Sequence, residues 1–395
     1  MSKNIIMNFP LILFILIIFF NKSLATNKKN KVDEIVFLDI YNENQAIGDA
    51  IIIHSKGQYA MIDVGLRKQD GDKNSSFQAI EKYINTNKIF KLNWVLLTHN
   101  HGDHVGAIKN LLDIIKVDKI YTKKYHAYDV ACHKNNTELE LLNTWKNKVN
   151  YIKKKIGKQN LHFITAKNNT KLTLGNYKFK LFNTGQAFTK YKDYCTTNCC
   201  NENVNSIVAI ARNGNKYYYF GGDIQLYPLP KNSTHPFYNE LKAARDKYPL
   251  EHWVERAKKY YKDTGYSMDH FHVFKANHHG ITADRVNNSK ELFLKARPDI
   301  CVVTTYRARK PLKNIINKAN KEGKFSTEII FIANNTLVIN NDKDLNKNNN
   351  KYNENNTKKA NTKKANTKKN NTIKDNNTKK NKKHSKKINY LKINY

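Results

Sequence analysis

Residues 99–104 most strongly constrain what this chain can fold into, because they place three histidines and a carboxylate directly after an apolar run. In the segment LNWVLLTHNHGDHVGA, a buried strand is predicted to end at Thr98, and a helix follows the loop. The loop carries His99, His101, Asp103 and His104. Neutral imidazole nitrogen and carboxylate oxygen are the ligands that zinc and similar divalent ions take. Residues two apart in an extended segment share a side, so the loop can serve two neighbouring metal ions.

The same residue types follow other predicted strands. Asp223 comes after YYYFGG, the pair His278–His279 comes after FKAN, and Asp63 lies in MIDVG. A single aspartate beside a glycine is more often an ordinary turn residue. Together with the loop, however, these positions are the remaining ligand candidates.

Strand and helix signals predict the architecture. Runs such as EIVFLDIY, DAIIIHS and SIVAIAR have the composition of strands, while SSFQAIEKYINTN and residues 137–156 have helical spacing. Strand groups and helices alternate in two similar halves. This pattern predicts two sheets packed as a sandwich with helices outside.

The first 25 residues are predicted to be a cleaved signal peptide. The run from 5 to 20 is almost wholly apolar, and small residues precede the expected cleavage point in Ser23-Leu24-Ala25. The run is shorter than the roughly 20 residues of a membrane span. An uncleaved membrane anchor is the alternative. Either way we expect the rest of the chain to be secreted or otherwise extracytoplasmic, with no stable membrane span after cleavage.

Two further boundaries follow from composition. Residues 26–340 hold the strands and helices of the predicted domain, and 40% of the chain is hydrophobic, which is enough for one sizeable core. Within it, residues 224–268 carry two prolines in YPLPKN, followed by a basic helical stretch, and are interpreted as an insertion. Residues 341–395 repeat Asn-Thr-Lys-Lys and have almost nothing apolar to bury, so disorder is expected. Either a solvated tail or a polyanion tether is consistent with this composition.

The formal net charge of +36 admits two interpretations. Solvated basic faces explain it without a partner, whereas an anionic substrate such as nucleic acid explains it functionally. Arg307 and Arg309, in YRARK directly after a predicted strand, are candidates for holding substrate phosphates. A solvated basic loop is the alternative for these two residues.

Five cysteines occur, three of them within DYCTTNCC. One or two disulfides are expected in an exported protein, with the pairing left open. A zinc site there is the alternative, although the stretch has no CxxC pair.

At this point the ordered set resembles the metallo-β-lactamase superfamily. The residues that carry the resemblance are His99-X-His101-X-Asp103-His104, Asp223 and His278-His279-Gly280. The opening strands and the segments NVNSIVAIARNGNKYYYFGGD and FKANHHG are similar to the ComEC-like branch, the soluble hydrolase domain of bacterial competence proteins. The resemblance covers roughly residues 34–340. It implies an α+β fold, a four-layer αβ/βα sandwich.

The resemblance also implies a role for each residue. His99 and His101 would hold one divalent ion, Asp103 and His104 a second, and Asp223 would bridge them. His278 would complete the second site, with His279 near the substrate as a proton donor, or the two would be exchanged. Asp103 would orient the nucleophile, and Asp63 would orient a ligand from behind. Two Zn²⁺ ions are expected, with Mn²⁺ as the alternative.

One departure from the wider superfamily concerns the first metal. Its usual Gly-His ligand between the HxHxDH loop and the bridging aspartate has no counterpart here, although His126, His133 and His162 lie in that interval. The ComEC-like branch resembles this chain in that respect. Asn205, with Asn203 and Ser206, is expected to line that side.

The implied reaction is metal-assisted hydrolysis, and a phosphodiester or nucleic acid substrate fits the charge. Hydrolysis of an ester, lactone or thioester is one alternative. A catalytically inactive, secreted polyanion-binding protein is an alternative of another class.

Overall fold

The computed structural model describes most of the predicted domain and a short C-terminal segment. The described residues are 32–40, 48–66, 76–123, 137–165, 170–182, 201–226, 229, 232–236, 238–282, 287–305, 309–332, 336–341 and 390–393. Within these ranges the strands form two large sheets and one short strand pair.

The first sheet has the strand order β17-β16-β1-β2-β3-β5-β7-β8. Its strands are β1 (Glu34–Phe37), β2 (Ala50–Ser55), β3 (Gln58–Val64), β5 (Trp94–Leu96), β7 (Ile120–Lys123), β8 (Leu161–Ile164), β16 (Thr336–Asn340) and β17 (Tyr390–Ile393). The pairs from β17 to β3 are antiparallel, and those from β3 to β8 are parallel.

The second sheet has the order β15-β14-β13-β12-β11-β10-β9. Its strands are β9 (Lys171–Leu174), β10 (Tyr177–Phe182), β11 (Val208–Asn213), β12 (Lys216–Phe220), β13 (Val273–Lys275), β14 (Ile300–Val303) and β15 (Glu328–Phe331). It is antiparallel from β9 to β12 and parallel from β12 to β15. The short pair is β4 (Lys91–Leu92) with β6 (Lys116–Val117).

Helices cover the outer face of each sheet. They are α1 (Ser76–Thr86), α2 (Gly102–Val105), α3 (Ile108–Ile114), α4 (Thr137–Ile156), α5 (Asn201–Val204), α6 (Tyr238–Lys247), α7 (His252–Asp263), α8 (Lys290–Ala296) and α9 (Arg309–Gly323), with 3₁₀ turns at Lys158–Asn160 and Asn277–Gly280.

Three apolar clusters define the layers. Val36 of β1 packs with Ile108 of α3 outside the first sheet, whereas Ile35 packs with Leu172 between the two sheets. The third cluster joins the second sheet to α7, α8 and α9, for example through Val254. A strand that is covered by another layer on each face of its sheet has a continuous apolar sequence. This explains sequences such as AIIIHS. The expected four-layer αβ/βα sandwich is confirmed.

Residues 224–268 lie partly in the outer helix layer. Helix α7 contributes Trp253, Val254 and Ala257 to the third cluster, so this part of the segment belongs to the hydrophobic core. Its interpretation as an insertion stays a prediction.

Other sequence predictions concern segments that lie mainly outside the described residues. The leader at 1–25 is not described, and no helix in the described ranges has the length and apolar composition needed to cross a membrane. Most of the tail after residue 341 is also outside, although 390–393 form β17 against β16. Four cysteines, including the three in DYCTTNCC, are outside as well, while Cys301 is buried and unpaired.

Candidate metal centre

Histidines and aspartates from five different chain segments converge at one edge of the sandwich. The structure forms two groups of close ligand atoms, which share Asp223. The first group is His99, His101 and Asp223; the second is Asp49, His104, Asp223 and His279. Within each group the ligand atoms all lie within 4.8 Å of one another, and every member except His101 is buried.

The first group is set by the end of β5. His99 Nε2 lies 3.2 Å from His101 Nδ1 and 3.7 Å from Asp223 Oδ2. The other nitrogen of His99, Nδ1, is 3.1 Å from the hydroxyl of Thr98. Burial lowers the pKa of both histidines, that of His99 well below its usual range. Both rings are therefore neutral and able to offer a nitrogen lone pair.

The second group is held by carboxylates behind its two rings. Nδ1 of His104 is 2.7 Å from Asp63 Oδ2, and Nδ1 of His279 is 3.2 Å from Asp49 Oδ1. Each ring thus turns its Nε2 towards the shared space. There the two Nε2 atoms are 3.2 Å apart, and Asp223 lies 3.2 Å from His104 and 3.3 Å from His279.

This arrangement fits a divalent cation. Each ring donates its Nδ1 proton to a carboxylate, so the two Nε2 atoms face each other and must either carry protons or bind a metal cation between them. Burial disfavours protonation, but the carboxylates around the rings outweigh it. They raise the pKa of His104 well above its usual range and that of His279 to about 10. The centre therefore retains protons strongly, and a bound metal ion would take their place.

Asp63 supports His104 from a strained position at the end of β3. Its φ angle of +56° lies in the left-handed region, which a residue other than glycine rarely adopts. Both carboxylate oxygens are occupied: Oδ1 accepts from the Thr98 amide at 2.8 Å and Oδ2 from the Thr98 hydroxyl at 2.7 Å. These bonds fix the carboxylate that orients the His104 ring.

Sequence reasoning missed Asp49 and Lys275. Asp49 lies just before β2 and accepts hydrogen bonds from Lys275 Nζ at 2.5 Å and from the Thr304 hydroxyl at 2.7 Å. Lys275 is charged, and yet it is fully buried because it lies in an apolar strand. A lysine within a buried strand needs a buried counter-charge. That requirement was a sequence signal for an unassigned carboxylate in this centre.

Residues 45–168 match the family model described as the metallo-beta-lactamase superfamily. This range contains the whole HxHxDH loop, together with Asp49 and Asp63 behind it. This part of the chain therefore matches a metallo-β-lactamase superfamily domain. Its two mixed sheets flanked by helices are the metallo-β-lactamase fold.

Solved structures similar to this chain share little sequence with it. The metallo-beta-lactamase fold protein YhfI from Bacillus subtilis is 11% identical, with 76% of this chain and 97% of that chain covered and a TM-score of 0.41. An archaeal metallo-beta-lactamase superfamily protein from Sulfolobus tokodaii is 17% identical, covering 56% and 75%, with a TM-score of 0.31. CmlA, a diiron beta-hydroxylase from Streptomyces venezuelae, is 11% identical, covering 78% and 54%, with a TM-score of 0.41. No curated protein matches the chain.

Of the two adjacent histidines, His279 rather than His278 lies among the ligand atoms of the second group, which is the exchanged order. His279 is fully buried among the ligand atoms, and its Nε2 also lies 3.1 Å from Asp103 Oδ2. His278 has a quarter of its side chain exposed, with Nε2 3.6 Å from Asp223 Oδ2. The physical reason is backbone geometry, because left-handed φ angles at both residues turn the second ring inward.

Residues 203–206, expected to line the side without a third histidine, lie beside the Asp223 turn. Asn203, Asn205 and Ser206 are buried. The Ser206 hydroxyl accepts from the Asp223 amide at 3.3 Å, and the Ile207 amide donates to Thr98 O at 2.9 Å. These bonds tie the Asp223 turn to the end of β5.

The basic pair proposed for substrate phosphates is only partly described. Arg307 lies outside the described residues, and Arg309 begins α9 with a side chain that is outside them too. Their binding role stays a prediction.

Proposed function

We propose that this protein is a metal-dependent hydrolase whose substrate is a phosphodiester, with nucleic acid as the favoured class. The observation that carries the proposal is the pair of ligand groups sharing Asp223, with neutral or carboxylate-held imidazoles facing one another. A bound divalent ion supplies a Lewis acid that polarises the scissile group and lowers the pKa of water.

The ligand groups assign the residues that hold metal. His99 and His101 offer nitrogens on one side of Asp223, while His104 and His279 offer theirs on the other. Asp103 adds a carboxylate 3.1 Å from His279 Nε2. The first group has one donor fewer than the second, which makes the second the tighter site. Zn²⁺ is the favoured ion because imidazole and carboxylate suit it, with Mn²⁺ as the alternative.

Two partly exposed side chains face the open side of the centre. A quarter of the side chain of Asp103 is exposed, as is a quarter of that of His278. Asp103 is placed to accept a hydrogen bond from the attacking water, and His278 to donate one to the leaving group. His278 thus takes the proton-donor role that the resemblance first suggested for His279.

The choice of a phosphodiester rests on charge and on the missing histidine. A net charge of +36 favours an anionic substrate. Superfamily hydrolases of esters, lactones and thioesters usually carry the Gly-His ligand that this chain lacks. Secretion after removal of residues 1–25 is part of the proposal. The competing proposal from another class is an inactive polyanion binder, for which the basic tail would be the functional part.

The experiment measures metal content and hydrolysis together on residues 26–395. Mass spectrometry determines zinc and manganese, and bis(p-nitrophenyl) phosphate and p-nitrophenyl butyrate report diester and ester hydrolysis. His101→Ala is compared with His162→Ala, a histidine on β8 outside the centre.

Bound metal, with diester turnover lost in His101→Ala and kept in His162→Ala, is the expected result. Ester turnover without diester turnover would show that the substrate is an ester rather than a phosphodiester. A protein that takes up neither metal would overturn the catalytic proposal in favour of polyanion binding.

A further inference from the structure

The turn that carries the two adjacent histidines has an uncommon backbone. His278 and His279 have φ angles of +47° and +56°, and Gly280 follows at +94°. Three consecutive left-handed residues, two of them histidines, persist only where the surroundings hold them. This conformation decides which imidazole enters the second ligand group.

Asn288 holds both ends of this turn with three hydrogen bonds. Its Oδ1 accepts from the Asn277 amide at 3.1 Å, and its Nδ2 donates to Asn277 O at 2.8 Å and to Ile281 O at 2.9 Å. One backbone donor and two carbonyl acceptors fix the orientation of the side-chain amide, because a flipped amide would oppose all three. Asn288 is fully buried.

The neighbouring Asn287 acts on the same turn. The backbone carbonyl oxygen of Asn287 accepts from Asn277 Nδ2 at 3.0 Å, and the side-chain Nδ2 of Asn287 lies 3.1 Å from His278 Nδ1. With the amide donating, the ring proton of His278 resides on Nε2, the atom 3.6 Å from Asp223. A protonated Nε2 offers no lone pair to a metal ion. Asn287 therefore keeps Nε2 of His278 a hydrogen-bond donor.

The backbone of the turn is also tied to the bridging aspartate. The His278 amide donates to Gly222 O at 3.1 Å, and the Ile281 amide donates to His278 O at 2.8 Å. Gly280 is closely packed, since a Cβ there would lie 2.7 Å from Val303 Cγ1. Asn288 thus spans a turn that is anchored to the Asp223 loop on one side and to β14 on the other.

We propose that Asn288 is the positioning residue that selects His279, rather than His278, as the metal ligand. The proposal rests on the metal centre of the proposed function, but not on the substrate. Losing the three bonds removes what holds the left-handed turn, so the two histidines become able to exchange places.

The test combines Asn288→Asp with the two histidine variants. Aspartate has the same shape as asparagine but places an oxygen against the carbonyls of Asn277 and Ile281, so it removes both donated bonds. Zn²⁺ affinity is measured by chelator competition for His278→Ala and His279→Ala, each made once in the wild-type chain and once together with Asn288→Asp. Asn213→Ala, which removes a buried amide bonded to Asp33, is compared with Asn288→Ala as a control for general destabilisation.

In the wild-type background, His279→Ala is expected to weaken Zn²⁺ binding far more than His278→Ala. In the Asn288→Asp background, overall affinity falls by about 10- to 100-fold, as for other residues that orient a ligand, and the difference between the two histidine variants collapses. Asn213→Ala leaves affinity unchanged. An undiminished difference between the histidines in Asn288→Asp would overturn the proposal, as would an equal loss in Asn213→Ala and Asn288→Ala.

Hydrogen exchange in the metal-free protein separates this proposal from the proposed function. The His278 and Ile281 amides are expected to lose protection in Asn288→Asp and to keep it in Asn213→Ala. If the wild-type chain takes up no metal, the proposed function fails, and this exchange result still decides whether Asn288 holds the turn. Unchanged protection in Asn288→Asp would overturn its role.

Discussion

Lys275 and Asp49 form an ion pair beneath the metal centre, with Lys275 Nζ 2.5 Å from Asp49 Oδ2. The same ammonium donates to Gly222 O at 2.9 Å and lies 3.7 Å from Asp223 Oδ1. Asp49 in turn orients His279. One buried cation therefore joins the segment before β2, the Asp223 turn and the strand that leads to the histidine pair.

Lys275→Met is expected to destabilise the protein strongly, because it leaves the buried Asp49 carboxylate without its cation. Breaking a buried pair on one side costs about 3–5 kcal/mol. The double variant Asp49→Asn, Lys275→Met removes both charges and should lose less stability than Lys275→Met alone. Urea unfolding of the metal-free proteins measures both. A double variant less stable than Lys275→Met would contradict this account of the pair.

Asp63→Asn is expected to weaken metal binding by about 10- to 100-fold, as for other carboxylates that orient a ligand histidine. The Thr98 amide would keep the oxygen of the new side chain, so its NH₂ group would face His104 Nδ1. That shifts the ring proton to Nε2 and removes the metal-binding lone pair. Chelator competition measures the loss. Asp33→Asn, at a carboxylate that accepts from Ser55 away from the centre, is the control and should bind metal normally.

The stability of the metal-free protein is expected to fall as pH rises above neutrality. The pKa of His279 is raised from the ordinary value of 6.5 to about 10, since Asp223 and Asp49 outweigh the opposing effect of burial. A raised folded-state pKa gives stability that is fully present below about pH 6.5 and is lost as pH rises towards about 10.

Urea midpoints across this pH range test the prediction, with His279→Gln as the comparison that removes the titrating ring. The decline should be shallower in His279→Gln, and zinc should flatten it in the wild type by replacing the protons. Parallel declines in both proteins would contradict the assignment to His279.

Asp103 is expected to contribute to the stability of the metal-free protein in the acid pH range. His104 and His279 outweigh burial and lower the pKa of its carboxyl from 3.8 to about 2. A depressed folded-state pKa gives stability that is present above about pH 3.9 and is lost as pH falls towards about 2. Acid unfolding of Asp103→Asn should therefore show a smaller loss over this range than the wild type. An identical acid profile would rule out this contribution.

Gly222→Ala is expected to be more damaging than Gly57→Ala, although both glycines have positive φ angles. A Cβ at Gly222 would lie 2.8 Å from Thr98 Oγ1, whereas at Gly57 no atom lies within 4 Å. The strained backbone costs about 1–2 kcal/mol at either site, and overpacking adds about 1–3 kcal/mol at Gly222. Thermal unfolding and zinc affinity should separate the two variants, with zinc binding weakened only in Gly222→Ala. Equal effects would show that backbone strain alone governs both positions.

The sequence by itself predicted the candidate ligand types and determined the layer architecture. Four chelating residues within six positions have few structural explanations, and apolar runs with strand composition identify buried strands without any knowledge of their partners. Asp223 and the histidine pair could be predicted because each follows such a run directly. These signals are local, so a single chain sequence is sufficient to show them.

Tertiary structure decided which of these residues meet and how each is held. Asp49 lies about 230 positions from its partner His279 and is separated by a similar distance from Lys275, and nothing local in the sequence links them. The order of His278 and His279 depends on three hydrogen bonds from Asn288, which no spacing rule anticipates. Ligand identity follows from residue chemistry, whereas ligand orientation depends on packing between segments distant in the chain, and only the fold brings those segments together.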